Sequence, residues 1–257
     1  SAAKKIDQES SLNHLLGVSI TASLSTTYEK RGDHKFHIAL QTRDFSKSIS
    51  CKLEKGQRTR EEEEELVTAF VVNLLAECSE LEYDYPKIPE EVVFDEVKAE
   101  KGWAELMSNK INYVLSEDAS PELIFPGAFY PYHDGHKAMK DLAEQETGEK
   151  TFFEICIQNV DKPPLSYHQI DKTIAQFKSS QNWVLTKAGK FSDKARLFPN
   201  STFIIGADTL VRIFDERFYA SRSDMLAEFD IFNQNSIGFL VFGRKYQNKF
   251  LELMLMK

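Results

Sequence analysis

Two histidines three residues apart, His133 and His136, close the segment Ile124-Phe125-Pro126-Gly127-Ala128-Phe129-Tyr130-Pro131-Tyr132-His133-Asp134-Gly135-His136. Imidazoles at a helix entrance can donate hydrogen bonds to phosphate oxygens, and the helix amides and dipole favour negative charge at the same place. Gly127 would let a bound nucleotide come close to the backbone, and Gly135 leaves room beside the two rings. The plain alternative for the pair is a helix cap. Zinc is a weaker reading, because two histidines need further ligands and no neighbouring Cys or His spacing offers them. Further along, Asp208 follows the apolar run Phe203-Ile204-Ile205 and either faces a cleft or caps the helix that begins at Thr209. Lys162 and Lys187 each lie just beyond an expected strand, where a lysine is either a phosphate partner or simply solvated. His34 and His37 are also three apart, but in a strand that spacing points them to opposite faces, so they read as surface or packing residues.

The elements that must position these groups follow from the apolar pattern. Between residues 17 and 53 short alternating pieces (Val18, Ile20, Ala22, Leu24; Phe36, Ile38, Leu40; Ile49, Cys51, Leu53) predict three strands. The period then changes. Thr59 is a candidate cap for a helix whose first turn is the glutamate run 61–65, read as a solvated helix start, and whose buried face is Leu66, Val67, Phe70, Val71, Leu74 and Leu75. From 78 to 100 acidic residues mix with Pro86 and Pro89 and no apolar period persists, which predicts a linker. The expected organisation is therefore a unit over 1–80, a linker over 81–102 and a second domain over 103–257. In that domain a helix over 103–115 precedes strands over 122–125, 151–157, 183–186, 202–205, 238–242 and 250–254. The expected helices follow Asp134 and cover 166–177, 209–214 and 222–232. Strands alternating with helices predict an α/β doubly wound, mostly parallel sheet, whose ligands bind at the carboxyl ends of its strands.

Composition narrows the function classes. The chain has 257 residues, 42% of them hydrophobic and 28% charged, which suits a folded globular protein. A net charge of −8 repels a polyphosphate backbone, so nucleic acid is a poor partner. Cys51, Cys78 and Cys156 form an odd set without CxxC spacing, which predicts a reducing, cytoplasmic setting and no disulfide framework. No apolar run approaches the ~20 residues that span a bilayer, so no membrane is expected. A homo-oligomer is compatible with all of this.

The segment from Phe125 to His136 resembles the HxGH signature and its strand-and-glycine lead-in, as found in the nucleotidylyltransferase superfamily. Gly206-Ala207-Asp208 is similar to the strand-end Gly-Ala-Asp of nicotinamide-mononucleotide adenylyltransferases, and the stretches 159–165 and 184–188 follow strands in the order of that branch. The likeness covers 121–244. It implies a Rossmann-like fold of nucleotidylyltransferase type, with His133 and His136 as catalytic residues and Gly127, Ala128, Phe129, Gly135, Gly206 and Asp208 around the nucleotide. It also implies ATP (or CTP) with Mg2+, and a small phosphorylated acceptor such as nicotinamide or nicotinic acid mononucleotide. In that chemistry the acceptor attacks the α-phosphorus and pyrophosphate leaves without a covalent enzyme intermediate.

The superfamily's second signature, of the type Ile-Ser-Ser-Thr-x-x-Arg, does not occur in this chain, which leaves either a segment beyond Lys257 or a weakened catalyst as the expectation. A nucleotide-binding or scaffolding protein without catalysis is therefore the competing reading, and cytidylyl transfer to an alcohol phosphate a third. Residues 12–77 resemble a terminal portion of the CinA C-terminal, nicotinamide-nucleotide amidase-like domain, through the stretches 17–24, 30–42 and 59–63. That makes the first unit a small partial α/β unit. The Glu-Ser-Cys-Thr-Gly segment that bears the nucleophile in that family has no counterpart here, so no amidase site follows.

Overall fold

The computed structural model describes residues 16–28, 30–158, 164–243 and 254–256. The chain divides into two compact units that meet between Glu100 and Lys101. The first holds β1 (Gly17–Ser23), β2 (His34–Gln41), β3 (Phe45–Leu53), α1 (Arg60–Cys78) and β4 (Val92–Lys98), with all strand pairs antiparallel in the order β1-β2-β3-β4. Strict alternation in β2 buries His34, Phe36, Ile38 and Leu40 under α1, which contributes Val67, Phe70 and Leu74. His37 points to the other, exposed face, as the strand period requires. Thr59 caps α1 in a reciprocal box with Glu62. Val18 and Ile20 share the α1 face with their register partners Leu40 and Ile38, yet remain 38% and 46% exposed. A single helix about 10 Å wide does not cover four strands spaced about 4.8 Å apart.

Two expectations for this unit change. The glutamate run is not uniformly solvated: Glu63 is fully buried, its Oε1 2.8 Å from His34 Nδ1 and its Oε2 accepting from the Ser25 amide at 2.6 Å. It lies four and seven residues before Val67 and Phe70 and so falls on the apolar stripe. The segment expected as a linker carries β4, which pairs with β3 from Cys51↔Val92 to Phe45↔Lys98. Arg58 Nη2 donates to Glu90 Oε2 at 2.9 Å within the same segment, tying it to the β3–α1 turn.

The second unit is a Rossmann-like α/β layer structure. Its helices and strands are α2 (Lys101–Met107), β5 (Tyr113–Leu115), β6 (Leu123–Pro126), α3 (Asp134–Thr147), β7 (Thr151–Cys156), α4 (Tyr167–Ile174), β8 (Asn182–Thr186), α5 (Phe191–Leu197), β9 (Thr202–Gly206), α6 (Ala207–Ile213), α7 (Arg222–Gln234), β10 (Gly238–Phe242) and β11 (Met254–Met256). The strand order is β11-β10-β9-β6-β7-β8-β5, with the five central strands parallel and the two edges antiparallel. The chain runs outward from β6 to β8, then returns to the other side of β6 for β9 and β10. This reversal puts a topological switch point between β6 and β9. Neighbouring residues of β7 serve the two layers: Phe152 packs with Ala195, Phe198 and Phe232 of the α5 and α7 side, while Phe153 stacks with Phe177 and meets Phe129. Trp103 of α2 is 3% exposed and lies against Tyr167 with ring centroids 6.2 Å apart.

The helix expected over 103–115 stops at Met107. Asn109 takes a left-handed φ of 57°, the Lys110 amide bonds back to the Glu105 carbonyl at 2.9 Å, and the apolar residues after it become β5 on the edge of β8. Helix α5 lies in a stretch for which no helix is expected. Residues 250–253 of the last expected strand lie outside the described residues, as does Lys162. Among the described residues, no helix is long and apolar enough to cross a membrane.

Candidate functional site

The connection that leaves the carboxyl end of β6 holds the histidine pair. His133 is the N-cap of α3, extended at φ −139° and ψ 170°, and His136 is the third residue of the helix. The His133 amide donates to His136 Nδ1 at 3.4 Å, so an imidazole fills the reach-back place that a carboxylate holds in an ordinary capping box. Helix capping and proximity are thus achieved together. The two rings stack with centroids 3.7 Å apart at 19°. On its other sides His136 meets Tyr132 (5.7 Å, near-parallel) and the edges of Phe125 and Phe129. Burial among these rings lowers the His136 pKa from its ordinary value, and the neighbouring His133 lowers it further. A neutral ring that accepts at Nδ1 carries its proton on Nε2, which leaves one N–H donor for a ligand.

Phe129 fixes the shape of the turn. Its ring is 1% exposed among Phe125, Phe153 and Phe177, and its backbone has a φ of 48°. A Cβ on Gly127 would stand 2.6 Å from Phe129 Cζ, so glycine is needed there to admit a side chain of the protein itself. A Cβ on Gly135 would meet His133 Cε1 at 3.0 Å, in keeping with a glycine that leaves room for the ring stack. Ala128 is exposed. Gln176 and Gln181, which no spacing marked, bond to this turn. Gln176 Oε1 accepts from the Tyr132 amide at 2.9 Å and Gln176 Nε2 donates to the Phe129 carbonyl at 3.0 Å, while Gln181 Nε2 donates to the Tyr132 hydroxyl at 3.0 Å.

Across the switch point, Gly206 ends β9 and caps α6, and a Cβ there would meet nothing within 4 Å. Asp208 is exposed in the first turn of α6; because Gly206 is the N-cap, the capping role considered for Asp208 is not the one it has. Lys187 follows β8, where its Nζ donates to the Met107 carbonyl at 3.0 Å and to Asn109 Oδ1 at 2.6 Å, so it ties β8 to the α2–β5 turn. The structure therefore joins Gly127, Phe129, His133, Gly135 and His136 in one packed turn and sets Gly206 and Asp208 at the end of the adjacent strand. Lys187 is bonded at the α2–β5 turn.

A cavity of about 400 Å3 opens beside α6, lined by Lys190, Phe191, Thr209, Arg212, Phe218 and Tyr219 among others, and the histidine turn contributes nothing to its wall. Arg212 lies over the Phe218 ring at 5.1 Å. The β8–α5 connection that forms part of this wall is anchored from within. Lys194 and Glu154, 4% and 1% exposed, are paired at 2.8 Å; Lys194 Nζ also donates to the Ala188 carbonyl at 2.6 Å, and Glu154 accepts from Thr186 Oγ1. The readable signal for this pair is a glutamate in the middle of the apolar strand Thr151–Cys156. Among the described residues no group of three His, Cys, Asp or Glu side chains converges as a metal site.

No protein-family model matches this chain. The curated proteins give no match either.

Proposed function

We propose that the chain is a nucleotidylyltransferase that moves AMP from ATP to a phosphorylated acceptor, nicotinamide or nicotinic acid mononucleotide, with release of pyrophosphate. One observation carries the reading. The histidine turn leaves β6 and the Gly206–Asp208 junction leaves β9, the two strands that flank the switch point of a five-stranded parallel core, where sheets of this kind take their ligands. The cavity beside α6 offers a second compartment with aromatic walls, where Lys190 is paired with Glu228 at 2.7 Å and Arg212 is the cation that suits a planar base joined to a phosphate.

In this reaction an oxygen of the acceptor phosphate forms a bond to the α-phosphorus of ATP, and the bond to the bridging oxygen breaks as pyrophosphate leaves. Negative charge accumulates on phosphate oxygens, so catalysis is positioning and charge stabilisation. His136, neutral and fixed through Nδ1, donates from Nε2 to such an oxygen, and stacked His133 adds a second imidazole at the amino end of α3. Mg2+ would be held chiefly by the triphosphate, with the exposed Asp208 in the first turn of α6 as an outer partner through water. When bound, Mg2+ neutralises phosphate charge.

The test is incubation of the full chain with ATP, Mg2+ and either mononucleotide, read as pyrophosphate release, with CTP in parallel. Release that disappears in His136→Ala supports the reading. Binding of ATP without release under any pairing would instead favour a nucleotide-binding protein that lacks catalysis.

A further inference from the structure

The turn between Phe129 and Tyr132 is held by a side chain from elsewhere in the sequence. We propose that Gln176 is a positioning residue for His136: its carboxamide stands in for a strand partner, bonds to the backbone on both sides of Tyr130-Pro131, and so sets the ring that faces a ligand.

The bonds require an amide. Phe129 offers a carbonyl and Tyr132 an N–H, and one planar group must donate to the first and accept from the second; at 3.0 and 2.9 Å Gln176 does both. A carboxylate at that place has no proton to donate, and a thioether has neither function. The donation also offsets the cost of Phe129's left-handed backbone, a conformation that a bulky residue adopts only when its surroundings impose it. The next residue, Phe177, stacks on Phe153 at 4.7 Å and presses edge-on against Phe129 and Tyr132, so the clamp sits on a rigid base. Gln181 then fixes the far end of Tyr132 through its hydroxyl. Tyr132 lies near-parallel to His136, and the next amide in the chain, that of His133, is the donor that fixes His136 Nδ1. The path from Gln176 to His136 thus runs through Tyr132 by direct contacts. The bonds of Gln176 go to the Phe129 and Lys172 carbonyls and the Tyr132 amide, not to a histidine, which is why its role is positional.

The inference rests on the proposed function only where turnover is concerned, and its test has a readout that does not. The full chain carrying Gln176→Met, of equal length and no charge, is compared with the parent by NMR titration of the histidine rings, with His136→Gln identifying the His136 signal. In the parent His136 titrates below its ordinary value; in Gln176→Met the turn loosens, water reaches the ring, and the His136 midpoint moves up toward that ordinary value, with thermal stability kept within a few degrees. Gln181→Met, which removes only the bond to the hydroxyl, shifts the midpoint the same way by less and serves if the first variant does not fold. An unmoved His136 midpoint in a folded variant overturns the proposal, whatever the protein catalyses. If pyrophosphate release is established in the parent, Gln176→Met lowers kcat by about tenfold, since misplacing a group by a fraction of an ångström weakens its contact with the transition state. A shifted midpoint in a chain that releases no pyrophosphate overturns the catalytic reading and leaves the clamp standing.

Discussion

His136 meets two demands with one ring: its Nδ1 satisfies a helix-end amide, and its Nε2 remains to serve a ligand. Truncating it should separate the two. On the proposed transfer, His136→Ala is expected to lower pyrophosphate release by on the order of 10²-fold, about 2.7 kcal/mol, and to lower stability by about 1 kcal/mol through the lost cap and ring contacts; a steady-state assay beside a thermal melt reads both, and the reverse ranking would make the residue structural. The folded chain also resists protonating this ring. The unfolded chain takes up the proton near the ordinary 6.5 and the folded chain only at lower pH, so this group's contribution makes stability fall as pH drops below 6.5 and level off once the folded ring is charged. At Gly127 the expected effect is purely steric. Gly127→Ala drives a methyl into Phe129 and should cost about 1–3 kcal/mol, seen as a lower melting temperature.

At the scale of elements, the Arg58–Glu90 pair fastens the segment before β4 to the β3–α1 turn, and the bond from Arg58 pulls the Glu90 pKa from 4.5 to about 2. A carboxyl depressed in the folded state stabilises fully above its unfolded value and loses that contribution as pH falls from 4.5 through 2. Glu90→Gln should therefore melt lower than the parent at neutral pH, by about 2 kcal/mol, and the gap should close on acidification; a gap independent of pH would mean that packing, not charge, was lost. Much of the frame was legible because period 2 in β2 and the capping box at Thr59 are local signals. β4 was not, since its partners on β3 lie some forty to fifty residues upstream and its own residues are mostly exposed, with Asp95 and Glu96 in the middle. The end of α2 was encoded in a single Asn109, and β5 takes its identity from the edge of β8. In the site, the histidines and glycines stood in one continuous stretch, whereas Gln176 acts across 44 and 47 positions with no pattern to mark it.

For the whole molecule, the two units carry separate buried polar pairs, the hydrogen-bonded His34–Glu63 in the first and the ion pair Glu154–Lys194 in the second. Removing one partner strands the other away from water, at about 3–5 kcal/mol. Glu63→Ala should lower the melting of the first unit and Lys194→Ala that of the second, each by on the order of 10 °C, and calorimetry of the full chain would reveal any variant that moves both. The chain has just two tryptophans, and both Trp103 and Trp183 belong to the second unit. Trp103, sealed against Tyr167, should emit in the blue and shift to the red when that contact opens. Tryptophan emission is in effect a dye confined to one half of the protein, so an unfolding curve recorded by tryptophan emission alone has no fluorophore within residues 1–100. Far-ultraviolet circular dichroism, to which α1 contributes strongly, is the complementary light by which that half becomes visible.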